Sequence, residues 1–142
     1  MTPSFSPTTH LGKDSKNATL QSRKKEKTIL IVEDESSVRE TVSHNLSYLG
    51  YTVLEACNGE EALAICRNYK HKLDLIFTDV VMPRLSGPSM ISMLQKENIR
   101  PPVLYTTGYA DAPGLRKTDP VLIKPYTTKS LAARIREIFA TA

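Results

Sequence analysis

The 142-residue chain has no tryptophan, only two cysteines, and no apolar run near the roughly 20 residues that a membrane-spanning helix requires. The cysteines, Cys57 and Cys66, are too few for a disulfide framework. They sit in what reads as a strand end and the body of the next helix, and are expected to be small buried apolar side chains. His10, His44 and His71 show no metal-ligand spacing with one another or with the cysteines. No apolar stretch near the N-terminus leads into a small-residue cleavage site, so no secretion signal is read and the cytoplasm is the expected compartment.

An excess of one charge is also missing from most of the chain. The net charge of +4 arises in residues 1–27, where Lys13, Lys16, Arg23, Lys24, Lys25 and Lys27 outnumber Asp14 and Glu26. Residues 28–142 carry thirteen charges of each sign. The domain itself is therefore expected to make no direct nucleic-acid or membrane contact. Residues 1–27 are rich in Ser, Thr, Pro, Lys and Asn and lack helical or strand period, so they read as a disordered leader or linker. Residues 28–142 suffice for one domain with a real core, and not for two.

From Thr28 onward, strand and helix signals alternate. Ile29-Leu30-Ile31-Val32 is a continuous apolar run, the mark of a strand buried on both faces. Ser37 and Glu40 form a capping-box pattern, and Val38, Val42, Leu46 and Leu49 follow at helical spacing up to Gly50. Thr52 to Ala56 reads as the second strand, and Asn58-Gly59-Glu60-Glu61 opens the second helix. Leu73 to Thr78 reads as the third strand, and Pro88 suits the first turn of a third helix. Val103-Leu104-Tyr105 and Val121-Leu122-Ile123 are the last two strands. A final helix starts near Thr127 or Thr128, with Leu131, Ile135, Ile138 and Phe139 on one stripe. This alternation implies a doubly wound α/β fold: a five-stranded parallel sheet with helices on both faces.

In such sheets chemistry collects at the carboxyl ends of the strands. Here those ends carry Glu33-Asp34-Glu35, Asp79, Thr106-Thr107-Gly108 and Lys124-Pro125. Any one of these is weak, since an acid after a strand is often a helix cap. Acids, a hydroxyl and an amine together on one rim suit phosphoryl transfer to a carboxylate. Clustered carboxylates repel one another, and a hard cation such as Mg²⁺, or Mn²⁺, relieves that repulsion while leaving positions for phosphate oxygens. The Lys124 ammonium would neutralise charge from the other side, with the Thr107 hydroxyl and backbone amides donating to a further oxygen.

Four segments, ILIVEDE (29–35), DLIFTDVVMPRLSG (74–87), VLYTTGYAD (103–111) and LIKPY (122–126), resemble the receiver domain of response regulators and hybrid histidine kinases. The resemblance covers roughly residues 27–140, and the four together in this order are highly specific. It implies a flavodoxin-like sheet of order 2-1-3-4-5 and a phospho-accepting role in phosphorelay signalling. Position by position, Asp79 matches the phospho-accepting aspartate. Glu33 and Asp34 match the acidic pair, Asp34 as the direct metal ligand and Glu33 acting mainly through water. The Val81 backbone carbonyl matches the third protein ligand, Thr107 the switch hydroxyl, and Lys124 the phosphate-pairing amine, with a cis Lys124–Pro125 bond. The implied donor is the phosphohistidine of a histidine kinase or histidine phosphotransfer domain, and the implied output is a downstream protein partner or a phosphorylation-dependent dimer. Such a chain is an autocatalytic acceptor rather than a turnover enzyme. It has kinase activity only as part of a larger hybrid kinase.

Some positions depart from the family pattern. Pro113 and Gly114 lie where a helix would join the fourth and fifth strands, at a cost of about 3 and about 1 kcal/mol in a helix interior. That helix is expected to be short, irregular or absent. Val121 occupies the site that often holds an aromatic switch residue. The stretch also resembles receivers whose fourth strand reads P-F-x-F-A-T-G-Y, and receivers of PAS-containing hybrid kinases. Pro102, Tyr105, Thr107, Gly108 and Tyr109 fit the first pattern, while Val103 and Thr106 depart from it.

Two other readings fit less well. A haloacid-dehalogenase-type phosphatase expects a second acid where Val81 stands, and a flavodoxin-like flavin binder would find Glu33-Asp34-Glu35 repelling its phosphate. No DNA-binding output segment is expected after the last helix, and a hybrid-kinase receiver is slightly favoured over a stand-alone regulator.

Overall fold

A computed structural model of the protein describes residues 27–141. The leader expected over 1–27 lies outside them except for Lys27, whose carbonyl accepts the Thr52 N–H at 3.0 Å. Strand β1 (Thr28–Val32) leads into α1 (Ser36–Tyr48), β2 (Thr52–Ala56) into α2 (Gly59–Asn68), and β3 (Leu75–Asp79) into α3 (Gly87–Lys96). Strands β4 (Val103–Thr107) and β5 (Val121–Ile123) follow, and α4 (Thr128–Thr141) closes the fold. The sheet is parallel throughout, in the order β2-β1-β3-β4-β5, as the alternation and the resemblance implied.

The pleat sorts the strand residues into two cores. Leu30, Val32, Ile76 and Tyr105 face α2 and α3, meeting Ala62, Leu63, Met90, Ile91 and Leu94. Ile29, Ile31, Leu75, Phe77 and Leu104 face the other way, onto Val42 and Leu46 of α1 and Leu131 and Ile135 of α4. Each fully buried Leu or Ile contributes about 1.5–3 kcal/mol. All five residues of both β1 and β3 are buried, because these strands lie inside the sheet with helices over each face. No described helix is long and apolar enough to cross a membrane.

Several local expectations change. Helix α1 starts at Ser36, and its N-cap is Glu35, whose side chain makes no capping bond, so the Ser37–Glu40 pattern is not used as a cap. Strand β3 runs from Leu75 to Asp79, two residues later at its start than the apolar run suggested. Elsewhere the caps form as the residue types dictate. Asn58 accepts the Glu61 N–H at 2.7 Å, Ser86 accepts the Ser89 N–H at 3.2 Å, and Thr127 accepts the Ser130 N–H at 3.0 Å.

Between β4 and β5 the described chain forms turns and no helix. Ala112 and Leu115 of this segment pack into the α2–α3 core instead. Gly114 takes φ +87°, and a Cβ there would come within 3.0 Å of the Pro88 ring. Both cysteines are free, with Cys66 half-buried and Cys57 exposed. Burial of Cys57 was the wrong expectation: β2 is an edge strand, and the chain turns outward after Ala56.

Candidate functional site

The carboxyl ends of β1 and β3 are neighbours in the sheet, so the acids that follow each strand meet. Oxygens of Glu33, Asp34 and Asp79 all lie within 4.8 Å of one another. Glu33 and Asp79 are buried, and Asp34 is exposed. Lys124 enters from the end of β5, where its N–H donates to the Thr107 carbonyl at 2.8 Å. Its Nζ stands 2.7 Å from Asp79 Oδ1 and 3.7 Å from Glu33 Oε1. The Lys124–Pro125 bond is cis.

The electrostatics follow from that crowding. Burial foremost, then a hydrogen bond to Asp79 and the Asp79 charge, push the Glu33 carboxyl up to about 8, while the Glu35 N–H and Lys124 pull it down. Burial works against the Lys124 ammonium. Its hydrogen bond to Asp79 and the charges of Asp79, Glu33 and Asp34 outweigh that and hold its pKa above the ordinary value. Beside the cluster, Tyr126 packs edge-on against Phe77. Burial, with the charges of Glu33 and Asp79, pushes its phenol up to about 12.

The two threonines ending β4 differ in what their hydroxyls do. Thr106 donates to the Leu122 carbonyl at 2.8 Å and so ties β4 to β5. Thr107 accepts the Tyr109 N–H at 3.2 Å, which leaves its own hydrogen to donate. Val81 lies two residues past Asp79 with its side chain 63% exposed.

The loop after Asp79 is closed tightly. The Gly87 N–H donates to the Val80 carbonyl at 2.9 Å, and a Cβ on Gly87 would stand 2.2 Å from the Asp79 carbonyl oxygen. Only glycine permits that approach. Arg84, at φ +69°, reaches the Glu60 carboxylate at 3.1 Å and pins the loop to the first turn of α2. In the sequence, Gly87 and Tyr126 stand only inside motifs that carry the resemblance, without a role of their own, and Arg39 stands outside all of them.

The donor set fits a hard divalent cation. All its side-chain donors are oxygens, and opposite ligands about 2.1 Å from Mg²⁺ stand about 4.2 Å apart, a span that the observed spacing allows. Three acids face one ammonium here, and burial, then the hydrogen bond to Asp79, disfavours the charged form of Glu33.

A family model described as the response regulator receiver domain matches residues 29–136. The chain is 39% identical over 120 residues to a probable transcriptional regulator ycf27 of Cyanidium caldarium, covering 81% of this chain and 47% of that protein. It is 35% identical over 116 residues to the sensor kinase CckA of Brucella abortus, covering 78% of this chain and 12% of the kinase. The chain thus spans about half the length of the first relative and a small part of the second. Among solved structures, the receiver domain of a hybrid histidine kinase CckA is 37% identical with a TM-score of 0.68, over 78% of this chain and 97% of that one. Vibrio cholerae chemotaxis protein CheY4 is 28% identical with a TM-score of 0.71, over 80% of this chain and 98% of that one.

Proposed function

The chain belongs to the response regulator receiver family, and from that premise we propose that Asp79 accepts a phosphoryl group from a phosphohistidine. The observation that carries this reading is the ion pair at 2.7 Å between Lys124 and an Asp79 already crowded by two further acids. A divalent cation held by Glu33, Asp34, Asp79 and the Val81 carbonyl would supply neutralising charge to the acids and to the incoming phosphoryl oxygens. An Asp79 carboxylate oxygen attacks phosphorus, the bond from phosphorus to the donor imidazole breaks, and the imidazole nitrogen keeps that electron pair. Lys124 is then within reach of the new phosphoryl oxygens, and Thr107 has a hydrogen to donate to one of them.

For the partner, we read a helix of a histidine kinase or of a histidine phosphotransfer domain. A groove of about 680 Å³ between α1 and α4 supports this, since it is mainly apolar and runs from Lys124, Pro125 and Tyr126 past Val38, Val42 and Leu131. Output passes through the β4–β5 side, where Tyr109 and Ile123 are exposed, to a downstream protein or a second phosphorylated copy. Relatives of both kinds, a sensor kinase and transcriptional regulators, resemble the chain. The slight preference for a hybrid-kinase receiver therefore gains nothing over a stand-alone regulator.

Incubation with Mg²⁺ and a small acyl phosphate tests the reading by intact-mass measurement. Wild type is expected to gain one phosphoryl group and Asp79→Asn none. Equal modification of both would remove Asp79 from its role.

A further inference from the structure

We infer that Arg39 is the positioning residue of the ion-binding acids: it holds the bend of chain on which Glu33 and Asp34 are presented to Asp79. The inference deepens the proposed function and rests on it. Arg39 closes the first turn of α1, with its side chain 17% exposed. Nη1 donates to the Glu33 carbonyl at 2.8 Å, and the Arg39 backbone N–H donates to the Glu35 carbonyl at 2.9 Å. The second of these is the backbone bond that opens α1, and only the first depends on the guanidinium. Nε lies 3.4 Å from Glu55 Oε1 on the neighbouring strand, and Ser43 donates to the other Glu55 oxygen at 2.9 Å.

A guanidinium taken largely out of water costs free energy unless its donors are matched. An apolar side chain would join α1 to the sheet at lower cost. A charged fork here instead selects the carbonyl of Glu33, with Glu55 setting the angle of the fork. The Glu33 N–H is bound to the Ala56 carbonyl at 3.1 Å, and its carboxylate to the Glu35 N–H at 3.0 Å. Asp34, exposed and lying between held neighbours, takes its direction from them. Hydrogen-bond partners of metal-binding groups typically change metal affinity by about 10–100-fold when removed.

Mn²⁺ titration of the full chain, followed by water-proton relaxation well below the melting temperature, tests this with Arg39→Gln, Arg39→Lys and Glu55→Gln. Arg39→Gln should bind about tenfold more weakly than wild type. Arg39→Lys, which keeps the charge and one donor direction, should recover part of the loss, and Glu55→Gln should show a smaller loss of the same sign. A lowered melting temperature with unchanged Mn²⁺ affinity would make Arg39 a tie between helix and sheet and overturn the inference. Should Arg39→Gln fail to fold, Glu55→Gln decides, and unchanged affinity in that variant overturns it equally. A wild-type chain that takes up no Mn²⁺, as Asp34→Asn should not, would overturn the proposed function itself and this inference with it.

Discussion

Asp74 and Asp79 are both buried acids, one just before β3 and the other at its end, and their surroundings differ in kind. Asp74 accepts the Thr28 N–H at 2.8 Å and has the Lys72 ammonium 3.8 Å away. Its negative charge meets donors that belong to it alone, and it holds β1 to the turn before β3. Asp79 meets two other carboxylates and shares one ammonium with Glu33. A buried acid supplied with its own donors stabilises a fold, whereas buried acids set against one another are a reservoir of unmet charge that chemistry can use. The acid at the amino-terminal pole of this sheet is matched by its own donors, whereas the carboxyl-terminal pole gathers three acids around one ammonium.

The strongest way to break that contrast is at Gly87. Alanine there must displace the Asp79 carbonyl, because its Cβ would stand 2.2 Å from that oxygen. Overpacking against backbone that is itself tied by the Gly87–Val80 hydrogen bond should cost about 3 kcal/mol. Urea unfolding should show it as a lowered midpoint, and the surviving folded fraction should accept phosphate poorly. A loss too small to measure would mean that the end of β3 has slack and that the site pole is not tightly built.

At the opposite pole, Asp74→Ala leaves the buried Thr28 N–H without a partner and should cost about 2 kcal/mol. The variant should keep the wild-type response to Mg²⁺, which at one hundred times its Kd would add about 2.7 kcal/mol to the stability of a chain that binds it only when folded. In Asp79→Asn the same Mg²⁺ increment should shrink while the Thr28 bond is untouched. Paired denaturant curves with and without Mg²⁺ separate the two. If Asp74→Ala abolishes the Mg²⁺ increment, the poles are coupled and the contrast fails.

How much of this could be read beforehand depends on whether a feature lives in the chain's order or in its folding. The apolar runs at Ile29–Val32 and Val103–Tyr105 are strands because sheet interiors demand them, and the polar residue after each one lands on the same rim. The lost helix between β4 and β5 was visible in the cost of Pro113 and Gly114. That Ala112 and Leu115 would turn inward to cover the core was not visible, because it depends on the space that the missing helix leaves. The Ser37–Glu40 pattern misled because the residue before α1 is occupied with the acidic bend, and the helix begins two residues earlier than that pattern implies. Arg39 left no mark on the sequence, since nothing in its spacing says which carbonyl its fork will find.

The smallest of these effects is kinetic, and it uses one cysteine from each side of the contrast. Cys57 follows the end of β2 beside Glu33 at the site pole and is exposed, while Cys66 lies on α2 against the core near the other pole and is half-buried. Burial pushes the Cys66 thiol up to about 11. Only the thiolate reacts, so at pH 8 a thiol of that pKa is ionised in about one molecule in a thousand, and Cys66 is shielded as well, whereas Cys57 is exposed. Iodoacetamide at pH 8 should therefore add one label quickly, mapped by peptide mass to Cys57, and a second much more slowly. In urea the two should react alike, since unfolding removes the burial. Gly87→Ala should hasten the second label by raising the unfolded fraction, whereas Mg²⁺ should retard it by lowering that fraction. Equal labelling of both cysteines in the native wild type would mean that α2 opens at its core face and is no rigid frame for the acid cluster.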